Sequence, residues 1–347
     1  MFQIKSNAYK KYKRIWNYLG GALLVFYTLF MIREFVCVAV ESLFTSAVSD
    51  KAGEIAYSLC GAFMYMVAFI APVFFYKLIS SRLARLGDLP LEPRFNKYLW
   101  LVIPAALAAN LVLAMINSLI MLPFNYEVIY ELMTPEYPDG YYLYHLVLDI
   151  IGTAIVPAIS EELLFRGLIL VALLPYGKKT AILGSSIMFA IMHQNFGQIV
   201  YTFGMGIILA LIVVKTQSIW GAVILHFLNN LFSVANTSLY YVYPTTKADF
   251  ISNLMVFVLL VAGAICLAVL LYKYKKSNDV LIDEGYEDED YVVETPVCQD
   301  PLSENAPLTE KEKIKGFFAP LNIVFIALAL FQMLLLVALA VLEIPLS

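Results

Sequence analysis

Two adjacent glutamates and one arginine lie inside a long apolar run, in the segment EELLFR that begins at Glu161. On an α-helix, positions four apart lie near one face, so Glu162 and Arg166 are spaced to form an ion pair. Glu161 is turned away from that arginine and stays available. Ionisable residues inside membrane helices are rare and usually functional, so the segment is a candidate site for chemistry. The alternative is a charge cluster that only joins helices.

Two of the three histidines follow in later apolar runs, each four residues from a partner. FAIMH pairs Phe189 with His193, and HFLNN pairs His226 with Asn230. If each run is centred on a bilayer, Glu161 and both histidines lie at similar depth. A carboxylate beside an imidazole can deprotonate a water, and a histidine with an asparagine can donate hydrogen bonds to an oxyanion. The set is therefore suited to hydrolysis.

The same side chains allow a second chemistry. Glu161, His193 and His226 also form a zinc ligand set with a fourth position open for water. The residue types do not choose between water activated by glutamate and water activated by a metal. The required cofactor is accordingly either none or zinc.

The elements that position these residues are predicted to be membrane helices. The chain is 61% hydrophobic and only 14% charged, where soluble domains have about 25% charged residues. Several apolar runs reach the roughly 20 residues that a helix needs to cross a bilayer. We expect an all-α, polytopic transmembrane bundle of eight or nine helices, with spans at 16–46, 55–80, 98–122, 142–174, 179–196, 198–214, 218–242, 250–272 and 317–344. The first span is the least regular, because Arg33 and Glu34 interrupt it. Those two either pair with each other or mark the end of a shorter helix.

Basic residues recur at every second junction between the predicted spans, beginning with Lys10, Lys11, Lys13 and Arg14. The positive-inside rule therefore predicts a multi-pass protein of the cell membrane with a cytoplasmic N-terminus. Because these charges have a topological role and form no basic patch, a nucleic-acid partner is not expected.

Five regions follow from this pattern. The segment 277–315 is acidic and contains several prolines, which predicts a disordered cytoplasmic loop. The regions are N-terminal membrane helices (1–140), core helices that carry the polar motifs (141–245), one membrane helix (246–276), the acidic loop (277–315) and a C-terminal membrane helix (316–347).

The three motifs resemble those of the CPBP family, the intramembrane proteases related to CAAX prenyl endopeptidases and bacteriocin-processing proteins, also called the Abi family. EELLFR has the form EExxxR, FAIMH the form FxxxH and HFLNN the form HxxxN, in the family's order, and the resemblance covers residues 140–240. It implies that Glu161 activates water together with His193. His226 and Asn230 would then stabilise the oxyanion or bind metal, with Glu162 and Arg166 in support.

The expected function is therefore an intramembrane endopeptidase. Its partners would be the lipid bilayer and a membrane-associated peptide or protein, either lipidated or resembling a bacteriocin or pheromone precursor. Two alternatives stay open at this stage. One is a non-enzymatic immunity factor or scaffold, and the other is a proton-coupled transporter that uses the same charges as a relay.

Overall fold

The chain folds as an all-helical bundle, which confirms the predicted fold class. The computed structural model describes residues 2–80, 89–95, 97–121, 140–276 and 308–341, and no β-strand occurs in these ranges. The helices are α1 (Phe2–Ala47), α2 (Asp50–Ser80), α3 (Leu99–Met121), α4 (Leu143–Tyr176), α5 (Lys178–Met192), α6 (Ile199–Thr216), α7 (Trp220–Val242), α8 (Thr245–Lys276), α9 (Glu310–Phe317) and α10 (Pro320–Val341).

Fewer helices can span a membrane than the sequence predicts. Within the described ranges, α1, α2, α3, α4, α6 and α8 are long and apolar enough, and α9 with α10 would make a seventh span bent by 64°. Helices do occupy the other two predicted spans. However, α5 has only 15 residues, short of the roughly 20 that a span needs. Helix α7 has 23 residues but falls below the hydropathy of a span because of its histidine and asparagines.

The two charged residues of α1 do not shorten the helix, which continues to Ala47. They also do not pair with each other. The Glu34 carboxylate accepts a hydrogen bond of 2.7 Å from the Tyr57 hydroxyl of α2, whereas Arg33 lines an internal cavity. Adjacent helical residues are about 100° apart, so their side chains reach different neighbours.

Helix α4 changes its winding on both sides of the glutamates. Wide π-helical turns run over Ile150–Ile155 and Leu163–Leu170, and the turns between them, Val156–Glu162, are α-helical. Pro157 contributes to the first irregularity because it has no N–H to donate to the carbonyl of Thr153, four residues earlier. That carbonyl instead accepts a hydrogen bond of 3.0 Å from the Asn230 side chain of α7. The irregular backbone of α4 is thereby tied to α7.

The acidic loop predicted for 277–315 lies mostly outside the described residues. Its last residues, 310–315, are helical instead, because α9 begins with a capping box. The Glu312 N–H donates to the Thr309 hydroxyl at 3.3 Å, and the Thr309 N–H donates to the Glu312 carboxylate at 2.8 Å. These bonds satisfy donors that a helix start would leave open. The proposed boundaries at 140 and 245 stay predictions.

The C-terminal helix α10 packs against the first helix through a glycine. A side chain at Gly20 would overlap the main chain of α10 at Leu321 and Asn322. The Leu321 N–H also donates to the Asn17 side chain at 3.1 Å. One turn earlier in α1, the buried Trp16 ring packs against the Phe317 ring at a steep angle, with centroids 4.8 Å apart. The two ends of the chain are thus joined on one side of the bundle.

We expect Gly20→Ala to lower the melting temperature of the detergent-purified protein, because the methyl group would push α10 away from α1. Overpacking of this kind costs about 1–3 kcal/mol. Gly21→Ala is the matched control, since its methyl would meet only the flexible end of Leu321 at 3.3 Å and the Phe75 ring at 3.7 Å. Equal melting temperatures for the two variants would contradict this packing.

Candidate active site

The two adjacent glutamates of α4 have different surroundings although both are buried. Oε1 of Glu162 accepts from Nη1 of Arg166 at 2.8 Å and from Nδ1 of His226 at 2.9 Å. Nη2 of Arg166 in turn donates to the Gly206 carbonyl at 3.2 Å. Glu162 and Arg166 therefore connect α4 to α7 and α6. A buried charge is tolerated only with such partners.

The Arg166 guanidinium is also covered by an aromatic face. It is fully buried, and its central carbon lies 4.4 Å from the centroid of the Phe189 ring of α5. The rings of Phe189 and Phe165 pack edge to face, with their centroids 5.2 Å apart. A desolvated guanidinium over a ring face gains a favourable cation–π interaction. The FxxxH motif thus supplies an aromatic contact for the arginine as well as a histidine.

Only one carboxylate oxygen of Glu161 has a hydrogen-bond partner among the described residues. Its Oε1 accepts a hydrogen bond from the Tyr65 hydroxyl of α2. Its Oε2 is buried, has no hydrogen-bond partner among the described residues, and lies 4.0 Å from Nε2 of both His193 and His226. A separation of 4.0 Å is too long for a direct hydrogen bond and is suited to a bridging water. The three side chains come from α4, from the residue that follows α5, and from α7.

The hydrogen bonds of the two imidazoles orient their free nitrogens. Nδ1 of His193 lies 2.8 Å from the Phe189 carbonyl oxygen, and because a carbonyl only accepts, this nitrogen carries the proton. Nδ1 of His226 donates to the Glu162 carboxylate. In both rings Nε2 is therefore the nitrogen that faces Glu161. A buried carboxylate behind an imidazole holds the ring in one tautomer and one orientation.

Asn230 lines the same space but is already engaged. Its amide group donates to the Thr153 carbonyl at 3.0 Å, and its oxygen accepts from Asn229 at 3.1 Å. Asn229 accepts from Asn110 of α3 at 2.6 Å. The chain of amides crosses from α3 through α7 to α4. Only the second N–H of Asn230 is left for a substrate. The asparagine therefore stabilises the packing of α7 against α4, and this second N–H could also bind an oxyanion.

The site opens into a cavity of about 330 Å³ between α1, α2, α4, α6 and α7. Its walls combine polar side chains with apolar ones, in an otherwise apolar bundle. Lining side chains beyond the motif residues include Arg33, Tyr65, Gln198, Tyr201, Thr202 and Ser233. The third histidine, His145, lies outside this cavity and contacts Glu54 at 2.5 Å. The structure therefore brings together two of the three histidines.

The spacing of the site does not match that of a zinc centre. Ligands that bind a tetrahedral zinc at about 2.0–2.2 Å lie roughly 3.4 Å from one another. Both contacts of Glu161 with the histidines are longer, at 4.0 Å. Within the described ranges, no group of three or more His, Cys, Asp or Glu side chains is arranged to hold a metal ion. We therefore derive no step through a metal.

Two residues of the cavity were not predicted as site residues from the sequence. Tyr65 is one of 23 tyrosines and has no motif around it. Arg33 is conspicuous only as a charge in an apolar run. Arg33 lies on α1 and Tyr65 on α2, both far in sequence from EELLFR. Only the packing of these helices against α4 shows that the two residues line the site. A charge inside a predicted span was the available signal for Arg33.

Residues 143–232 match the family of Rce1-like type II CAAX prenyl endopeptidases. For this part of the chain the match confirms the resemblance predicted from the three motifs, and it supports a CAAX-type intramembrane protease. It spans α4 to α7 and contains every motif residue. Neither the curated proteins nor the solved structures gave a match to the chain.

We expect Arg166→Met to destabilise the protein by about 3–5 kcal/mol, because it leaves the Glu162 carboxylate buried without its cation. Adding Glu162→Gln removes that charge and should recover part of the loss. Unfolding curves in detergent would measure both variants. Arg94→Met, at an exposed pair with Glu92, is the control and should change stability by less than about 1 kcal/mol. A double variant less stable than Arg166→Met would contradict this account.

Proposed function

Since residues 143–232 match the CAAX prenyl endopeptidases, we propose that this chain is an intramembrane endopeptidase that hydrolyses a peptide bond of a membrane-associated peptide or protein. The observation that carries the proposal is the approach of Glu161 Oε2 to Nε2 of His193 and His226 inside a polar cavity. A free carboxylate oxygen next to two oriented imidazoles can hold and activate a water.

In the proposed reaction, a water lies between Glu161 and His193. Oε2 of Glu161 takes a proton from the water, and the water oxygen forms a bond to the scissile carbonyl carbon. Nε2 of His193 accepts a hydrogen bond from the remaining water hydrogen and so directs the attack. When the intermediate collapses, the carbon–nitrogen bond breaks and Glu161 returns the proton to the leaving amine.

The developing oxyanion needs hydrogen-bond donors. We assign this role to His226, whose Nε2 would donate when both of its ring nitrogens carry protons. The second N–H of Asn230 is the other donor within the cavity. Hydrogen bonds fix both side chains in place: His226 contacts Glu162, and Asn230 donates to the Thr153 carbonyl. Donors that are fixed before the reaction need no reorganisation when the charge appears.

The substrate is expected to reach the cavity from the bilayer, because the surrounding helices are those of a multi-pass membrane protein. A farnesylated peptide that ends in a CAAX sequence is the first substrate to test, in view of the family match. Precursors of bacteriocins or pheromones are a second group. The cytoplasmic position of the N-terminus and the location in the cell membrane remain proposals based on the distribution of lysine and arginine.

We expect Glu161→Gln to abolish cleavage while the protein stays folded, because the amide keeps the shape but cannot accept a proton. A general base contributes about 10²–10⁴-fold to the rate, so the loss should reach at least about a hundredfold. Cleavage of the farnesylated peptide by protein in lipid nanodiscs would measure it. Glu34→Gln, at an exposed position of α1, is the control. Normal cleavage by Glu161→Gln would refute the assignment.

We expect Tyr65→Phe to lower kcat about ten- to a hundredfold, since it removes the hydroxyl that orients the Glu161 carboxylate. Hydrogen bonds to charged groups are worth about 1.5–3 kcal/mol. Tyr57→Phe deletes a hydroxyl on the same helix that contacts Glu34 instead, and it should leave kcat unchanged. The same nanodisc assay applies. If both variants have the same kcat, Tyr65 has no part in the reaction.

A further inference from the structure

Arg33 presents a cation to the catalytic cavity, and none of the described residues pairs with it as an anion. Its side chain lines the cavity, and its Nε is buried with no hydrogen bond to any described residue. No ion pair joins its guanidinium to a carboxylate in the described ranges, and the two nearby carboxylates have other partners: Glu34 accepts from Tyr57 and Glu161 accepts from Tyr65. A charge kept at this depth without a partner is expensive, and such residues usually serve function.

The aromatic contacts of Arg33 do not replace a partner. Its central carbon lies 5.7 Å from the Phe30 ring centroid and 6.0 Å from that of Tyr65. Both distances are near the outer limit of about 6 Å for a cation–π interaction. These rings orient the guanidinium but leave its N–H groups unused. A planar guanidinium presents paired donors that match a carboxylate.

Arg33 is also placed close to the reacting centre. The Tyr65 ring contacts Arg33, and the Tyr65 hydroxyl donates to Glu161. An anion bound by Arg33 would therefore be separated from the activated water by about one aromatic ring. An extended chain advances at most about 3.3–3.6 Å per residue, so that anion would belong to a group within about three residues of the scissile bond.

We propose that Arg33 binds a carboxylate of the substrate on one side of the scissile bond and thereby selects which peptides are cleaved. This inference rests on the proposed endopeptidase function. The carboxylate is either the C-terminus of the substrate or an acidic side chain near it. In this role Arg33 determines specificity and takes no part in bond breaking.

A simpler role for Arg33 would be to balance the charge of Glu161 through the Tyr65 ring. That role predicts an equal effect on every substrate, because it acts on the catalytic base. A carboxylate-binding role predicts an effect only on substrates that carry the anion. The two roles can therefore be separated with a pair of peptides that differ only in that charge.

The binding test uses three farnesylated CAAX peptides on nanodiscs that hold the Glu161→Gln variant, so that no peptide is cleaved. The first peptide has a free C-terminal carboxylate, the second is its C-terminal amide, and the third is an amide with glutamate as its last residue. Fluorescence polarisation gives each Kd. We expect the free acid to bind at least about tenfold more tightly than the amide, as one charge-assisted contact would provide.

Adding Arg33→Gln should reduce this preference to less than about twofold, with little change for the amide, because only the charged contact is lost. Arg33→Lys should keep part of it, since an ammonium retains the charge without the paired donors. Arg94→Gln is the control and should leave the preference intact. The third peptide separates the sources of the anion. Tighter binding of the third peptide than of the plain amide indicates that a side-chain carboxylate is bound, and tighter binding of the free acid alone indicates the C-terminus.

Three results would overturn the inference. They are equal binding of all three peptides before Arg33 is changed, no binding of any of them, and an equal loss for charged and uncharged peptides after Arg33→Gln. Cleavage of the same peptides by the protein with Glu161 intact is measured separately. A preference for the acid without any cleavage would refute the proposed function and leave the binding role of Arg33 standing.

Discussion

The site depends on a difference between two adjacent buried carboxylates: Arg166 neutralises Glu162, whereas Glu161 has no cation beside it among the described residues. Glu162 is held by Arg166 and His226, and Arg166 is further held by Gly206 and the Phe189 ring. Two adjacent glutamates in an apolar bundle would otherwise repel each other and resist burial. With the charge of Glu162 balanced by Arg166, the Tyr65 hydroxyl fixes the orientation of Glu161, and the second oxygen of Glu161 is left for water. The same contacts orient the ring of His226, so a single cluster both stabilises the fold and directs the chemistry.

The backbone of α4 makes room for this cluster. The π-helical turns on either side of Val156–Glu162 interrupt the regular ladder of hydrogen bonds, and such turns are frequent at functional sites. The carbonyl of Thr153 is not left open, because Asn230 reaches it from α7. Irregular backbone at membrane depth is tolerated where protein or a cavity satisfies it. The amides of α3 and α7 therefore hold open a polar cavity that lipid-facing helices enclose.

Helical periodicity made the central part of the site predictable. The spacing of four residues indicated that Glu162 would meet Arg166, and the depth of each apolar run in the bilayer indicated that His193 and His226 could lie near Glu161. Contacts between helices distant in sequence were beyond this reasoning, which is why Tyr65 and the position of Arg33 required the structure. In the described residues six helices, or seven with the bent pair, meet the criteria for a span, against the eight or nine expected. Helix α5 is too short for a span, and α7 falls below the hydropathy of a span because it carries the polar residues that the site needs.

The central claim is that Glu161 itself, with the two histidines, activates the water, and metal dependence tests this most directly. The separations of 4.0 Å between Glu161 and each histidine exceed those of zinc ligands. The measurement is peptidase activity and zinc content of one purified sample before and after exhaustive treatment with a chelator. The account predicts that activity persists in protein freed of zinc. Loss of activity that returns on adding zinc in proportion to the metal bound would contradict it.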